Sequence, residues 1–126
     1  MRTEIRSGEA PQPSGTYSQG ISVTAGARLV FLSGQTPRTP AGTLLQDASF
    51  ADQARQALDN LQALANAADL TLDDAVKVTV YLRDMADKAV FDQVYAGYVS
   101  PPLPARAVVQ SSFVEFALEV DAVLAR

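Results

Sequence analysis

The stretch Val76-Lys77-Val78-Thr79-Val80-Tyr81-Leu82-Arg83 alternates strictly between apolar and other side chains. Successive side chains of a strand point to opposite faces, so this segment is a strand with one apolar face to bury. Its valines and Leu82 face a helix layer; Lys77, Thr79, Tyr81 and Arg83 face away. A helical pattern stands on either side of it. Upstream, Ser49-Phe50-Ala51-Asp52 resembles a capping box with Asp in place of the commoner Glu. Ala54, Ala57, Leu58, Leu61, Leu64, Ala65 and Ala68 then recur on one helical face. Downstream, Asp84 caps a second helix, and Asp87 adds negative charge near its positive end. Val90, Phe91, Val94, Tyr95 and Tyr98 form the apolar stripe of that helix, and Ser100-Pro101-Pro102-Leu103-Pro104 stops it.

Further strands lie outside this centre. Thr3-Glu4-Ile5-Arg6 is a short extended piece, and the Pro- and Gly-containing segment Ala10 to Tyr17 is a loop. Ile21 to Thr24 and Arg28 to Ser33 read as a hairpin about an Ala25-Gly26 turn. Ala105 to Gln110 and Ala117 to Ala125 complete the set. Helix-linked crossovers from Leu32 to Val76 and from Arg83 to Ala105 predict an α+β sandwich. Its mixed sheet has about six strands, with both helices on one face and one domain spanning residues 1–126.

The other sheet face is left uncovered. Leu118, Val120, Ala122 and Leu124 turn toward the helices, which puts Glu119 and Asp121 on the open face. Arg106, Val108 and Gln110 are assigned to that same face, beside Lys77, Thr79, Tyr81 and Val123. Such a mixture fits either a solvated face or a subunit interface lined with a few functional charges.

Composition narrows the chemistry. The chain has 126 residues, 48% of them hydrophobic, and contains no His, Cys or Trp. That excludes a Ser-His-Asp triad, a thiolate nucleophile, His/Cys zinc sites and iron–sulfur clusters. The net charge is −4, with only two lysines, Lys77 and Lys88, so nucleic acid is not an expected partner. No apolar run follows Met1-Arg2-Thr3-Glu4, and no stretch approaches the ~20 residues of a membrane span. A cytoplasmic protein is the expectation.

Four places could carry function. Arg106 follows a Pro-rich loop at the mouth of a strand, where its planar fork suits a carboxylate. Glu119 sits in an otherwise apolar strand, where burial would raise its pKa toward that of a useful base. Tyr17 is on a loop where a ring can cover a ligand, and Ser33-Gly34 lets backbone approach one at a strand end. Taken singly, each also fits a structural role: Arg106 paired with Glu119 or Asp121, Glu119 in an ion pair, Tyr17 as packing.

Taken together and in order, these segments resemble the Rid (reactive intermediate deaminase, RidA/YjgF) family. The matching stretches are Gly15-Thr16-Tyr17-Ser18-Gln19, Ser33-Gly34-Gln35-Thr36-Pro37 and Gln53-Ala54-Arg55-Gln56-Ala57-Leu58-Asp59-Asn60-Leu61. They continue with Val76 through Met85, Pro104-Ala105-Arg106 and Leu118-Glu119-Val120-Asp121-Ala122. The resemblance implies a chorismate-mutase-like fold assembled as a homotrimer, its sheets lining the centre and its sites between subunits. It implies cofactor-independent hydrolysis of 2-imino acids, such as 2-aminoacrylate/2-iminopropanoate and 2-iminobutanoate, to 2-keto acids and ammonia. Those species are reactive products of pyridoxal-phosphate enzymes. On this chain Arg106 matches the residue that grips the substrate carboxylate, and Glu119 the one that positions the attacking water. Tyr17 matches the residue that closes the site, and Ser33 with Gly34 those that line it. Val108 stands where many members carry a thiol and Asp92 where many carry Asn; both fall among the substrate-binding positions. The alternatives are a non-catalytic module that binds small carboxylates and a ribonuclease or translation inhibitor. The −4 charge and the absence of His argue against the last.

Overall fold

The computed structural model describes residues 2–126. The strands are β1 (Arg2–Ile5), β2 (Gly20–Val23), β3 (Leu29–Gln35), β4 (Ala75–Leu82), β5 (Ala105–Gln110) and β6 (Leu118–Ala125). The helices are α1 (Phe50–Ala67), between β3 and β4, and α2 (Lys88–Tyr95), between β4 and β5. Short 3-10 turns at Leu72–Asp74 and Met85–Asp87 precede β4 and α2.

The α+β sandwich and its two helices match the sequence expectation, but the six strands divide into two sheets. The main sheet runs β3-β6-β4-β5, and β1 pairs with β2 in a separate ribbon. Among the described strand pairs, β4 and β5 are parallel and the others antiparallel. The expected hairpin between β2 and β3 does not form. Gly26 does turn the chain, with φ +86, a conformation glycine adopts freely. Beyond the turn, however, β3 pairs with β6 from Leu29 opposite Ala125, extended by mutual backbone bonds between Arg28 and Arg126 of 2.8 and 3.0 Å. β6 has two apolar-faced neighbours to bind, β3 and β4, whereas β2 offers only four residues.

Helix α1 starts where Ser49 Oγ accepts the Asp52 amide at 3.2 Å. It buries Ala54, Ala57, Leu58, Leu61 and Ala65 against the sheet. Leu64, expected on that face, is exposed, and Gln53 is buried instead. The Gln53 amide is fully used: Oε1 accepts from the Ala117 amide at 2.9 Å, and Nε2 donates to the Ala48 carbonyl at 3.1 Å. It thereby ties the start of α1 to the entry of β6. The core continues through Val78, Val80 and Leu82 of β4, Phe91 and Tyr95 of α2, and Leu118, Val120, Ala122 and Leu124 of β6. Truncating a fully buried leucine here, such as Leu58, costs on the order of 2–5 kcal/mol. No described helix is long and apolar enough to cross a membrane.

Among the described residues, the face of the sheet away from the helices leaves apolar side chains open to solvent. Leu29 and Phe31 on β3 and Val109 on β5 are 49%, 72% and 42% exposed.

Candidate active site

Arg106 is the second residue of β5 and pairs in register with Val78, while Val108 pairs with Val80. Parallel partners in register share a face, so both side chains lie on the helix side. This corrects the expectation that put Arg106, Val108 and Gln110 on the open face; Ala105, Ala107 and Val109 take that position. The β5 sequence alternates arginine and valine with alanines, so hydrophobicity gives it no clear sidedness. What draws the arginine inward is α2. The guanidinium carbon lies 5.2 Å from the Tyr95 ring, 5.5 Å from Tyr17 and 5.9 Å from Phe91. Aromatic faces attract a cation at such distances. Asp92, one residue past Phe91, approaches Arg106 Nη1 with Oδ1 at 2.6 Å.

The Arg106 side chain is only 1% exposed. Among the described residues Nε, Nη1 and Nη2 all lack an aligned hydrogen-bond acceptor. The contact with Asp92 therefore balances charge without satisfying the fork. Buried polar groups are nearly always hydrogen-bonded, so a fork without aligned acceptors makes Arg106 a candidate binding group.

The loop before β2 closes over this arginine. The Ser18 amide donates to the Pro104 carbonyl at 3.1 Å and its hydroxyl to Leu103, which stitches the loop to the start of β5. Tyr17 is held over Arg106 by a bond of 3.2 Å from the Ser14 amide to its phenol oxygen. Hydrogen bonding from Ser14 lowers the Tyr17 pKa from its ordinary value, with Lys88 and Arg106 adding in the same direction. Gly15 is there for space: a Cβ would stand 3.1 Å from Asp92 Oδ2 and 3.4 Å from Arg106 Nη2. Tyr17, Met85, Lys88, Arg106 and Val108 line a cleft of about 190 Å³ beside the guanidinium.

Glu119 lies elsewhere. It faces Tyr81 across the β4–β6 pair, on the open side of the sheet. Its carboxylate rests on Gly34, where a Cβ would come within 2.2 Å of Oε2. Ser33 precedes that glycine in β3. Nearby, the Tyr81 hydroxyl donates to Asp121 Oδ2 at 3.2 Å, and the Asp121 charge raises the Tyr81 pKa.

Of the expected site residues, the chain thus brings Tyr17, Asp92, Arg106 and Val108 together, and separately Ser33, Gly34 and Glu119. The two groups do not meet within one chain. β3 and β5 are opposite edges of the main sheet, about 14 Å apart by strand spacing. Arg106 and Glu119 also point to opposite faces. The alternative pairing of Arg106 with Glu119 or Asp121 is overturned for the same reason, and Asp92 is the partner. Sequence reading missed Lys88 and Met85 as cleft residues, and took Phe91 and Tyr95 only as core. Lys88 stands four residues before Asp92, one helical turn away, and that spacing was the available signal.

Comparison with known proteins shows the family. The family model described as Endoribonuclease L-PSP matches residues 7–125. A RutC family protein of Pyrococcus horikoshii is 38% identical, covering 98% of this chain and 97% of its own. The 2-iminobutanoate/2-iminopropanoate deaminase of Mus musculus is 36% identical, over 87% of this chain and 79% of its own. Among solved structures, E. coli TdcF with bound serine superposes with a TM-score of 0.72 at 34% identity, covering 98% of each chain. A match from the first loop to the end of β6, with relatives this similar over nearly the whole length, means that the chain belongs to the Endoribonuclease L-PSP family, the RidA/YjgF/RutC group.

Proposed function

We propose that this protein is a cofactor-independent enamine/imine deaminase acting on small 2-imino acids. It hydrolyses species such as 2-iminopropanoate and 2-iminobutanoate to 2-keto acids and ammonia, and so clears reactive products of pyridoxal-phosphate enzymes. The observation that carries the reading is the buried Arg106 fork, open beside a small cleft. The deaminase name of the mouse relative and the serine bound by the E. coli protein support it, since serine also carries a carboxylate beside nitrogen.

In this mechanism Arg106 takes the substrate carboxylate and fixes C2 and its iminium nitrogen, while Tyr17 covers the ligand. An iminium is already electrophilic, so the protein supplies orientation, an anion clamp and a placed water. Water oxygen adds to C2 as Glu119 accepts its proton, giving the carbinolamine. Glu119 returns that proton to nitrogen, and as the C–N bond breaks the hydroxyl gives its own proton back to Glu119, so that neutral ammonia leaves and the oxygen becomes the keto carbonyl; the proton passes from Glu119 to solvent. Val108 contributes backbone N–H and C=O where a polar side chain is absent.

For Arg106 and Glu119 to serve one substrate they must come from different copies of the chain. The reading therefore includes a homotrimer with sites between subunits. The open sheet face, with Leu29, Phe31 and Val109 exposed, supports burial against other copies. No nucleic-acid or membrane partner is part of it.

The test is release of ammonia and 2-keto acid from an imine generated in situ. Wild type accelerates release, and Arg106→Ala loses roughly 100-fold or more of kcat/KM. Equal rates in the two proteins overturn the proposal. A non-catalytic carboxylate-binding module is the second reading, favoured by the Asp92 charge that partly neutralises Arg106. Binding of 2-keto acids with no turnover of several imines would select it.

A further inference from the structure

Asp92 lies 2.6 Å from the arginine that is to hold an anion, so its charge opposes every carboxylate entering the cleft. A clamp neutralised in this way binds an anionic substrate poorly unless another cation is present. One is. Lys88, the first residue of α2, is half-buried and lines the same cleft as Arg106, Tyr17, Met85 and Val108. Among the described residues it forms no ion pair of its own, although acids are near in the chain. The Tyr17 pKa is lowered chiefly by hydrogen bonding from Ser14, with smaller contributions from the charges of Lys88 and Arg106. Arg106, Lys88 and Asp92 sum to one net positive charge, which matches one carboxylate.

We infer that Lys88 is a second substrate-binding cation, which holds one carboxylate oxygen of a small 2-imino or 2-keto acid while Arg106 holds the other. The inference rests on the proposed small-acid site but not on catalysis. It makes the site selective for short monocarboxylates. The ammonium supplies the charge that Asp92 withdraws, and Met85 and Val108 border the cleft with apolar surface for a short side chain.

The experiment is calorimetric titration of the full-length protein with pyruvate at low salt. The proteins are wild type, Lys88→Met, Asp92→Asn and the double variant, with methyl pyruvate as an uncharged control. Lys88→Met keeps chain length and helix propensity at an edge position, and circular dichroism checks its fold. Pyruvate affinity falls about tenfold in Lys88→Met, as for loss of a charge-assisted bond. It rises several-fold in Asp92→Asn, where Arg106 is freed. In the Asp92→Asn background the Lys88 substitution costs under threefold, because Arg106 alone then suffices. Methyl pyruvate binding is unchanged throughout. An unchanged pyruvate affinity in Lys88→Met overturns the inference, as does an equal loss in both backgrounds or for methyl pyruvate. Failure of the wild type to bind pyruvate at all overturns the small-acid reading itself, which keeps the two failures apart.

Discussion

The two halves of the candidate site are built in opposite ways. The Arg106 half is enclosed: loop, β5 and α2 converge on one guanidinium, three rings surround it, and a carboxylate touches it. The Glu119 half is open: one carboxylate rests on a glycine, on the sheet face where Leu29, Phe31 and Val109 are exposed. On the proposed function, the enclosed half recognises the anion within one chain, with Lys88 beside Arg106. The open half then takes its walls from another copy of the chain. Recognition would be completed within one chain, and chemistry would wait for assembly.

The largest effect should come from removing that assembly. Phe31→Asp puts a charge at the most exposed part of the β3 face, and complete loss of turnover with dissociation to monomers on gel filtration is expected. Pyruvate binding should survive, because the Arg106 half is intact; retained activity in a monomer would show that the halves need not meet between copies. The next test uses Arg106→Ala and Glu119→Ala, each inactive alone. Mixed after dissociation and reassembled, they should regain a measurable fraction of wild-type activity, since some interfaces then combine one intact half of each kind. No recovery would mean that both residues serve from the same copy.

Smaller effects separate the halves further. Gly34→Ala forces the Glu119 carboxylate aside, and about a tenfold loss in kcat is expected with KM nearly unchanged. The displaced atoms end a flexible side chain, so the melting temperature should move little. A rise in KM instead would place Glu119 in binding. The smallest effect belongs to neither half. Burial, then the hydrogen bond of 2.6 Å to Asp59, raises the Tyr98 pKa to about 12. A folded-state value above the unfolded value near 10 gives stability that is fully present below pH 10 and lost as pH rises toward 12. Tyr98→Phe should therefore show a shallower fall in melting temperature over pH 10 to 12; an unchanged slope would remove Tyr98 as the cause.

Much of this was legible in the chain. Strict alternation around Val80 and the helical recurrence from Ala54 to Ala65 each specify an element, because periodicity is a local property that burial enforces on any one-faced strand or helix. The ordered motifs around Tyr17, Gly34, Arg106 and Glu119 marked candidate site residues, because they are types whose chemistry is visible one at a time. Only the tertiary structure decided which of them meet. The side of β5 on which Arg106 lies depends on its register with β4 and on the rings of α2, and Ala105-Arg106-Ala107-Val108 carries no hydrophobic contrast to announce it. The partner of β3 was settled by a strand ninety residues away rather than by the turn beside it. The pairing of Asp92 with Arg106, the reach of Lys88 into the same cleft and the separation of Glu119 onto the other face all follow from those long-range choices. Neither spacing nor composition encodes such choices, because pairing energy between distant segments is shared across the whole sheet.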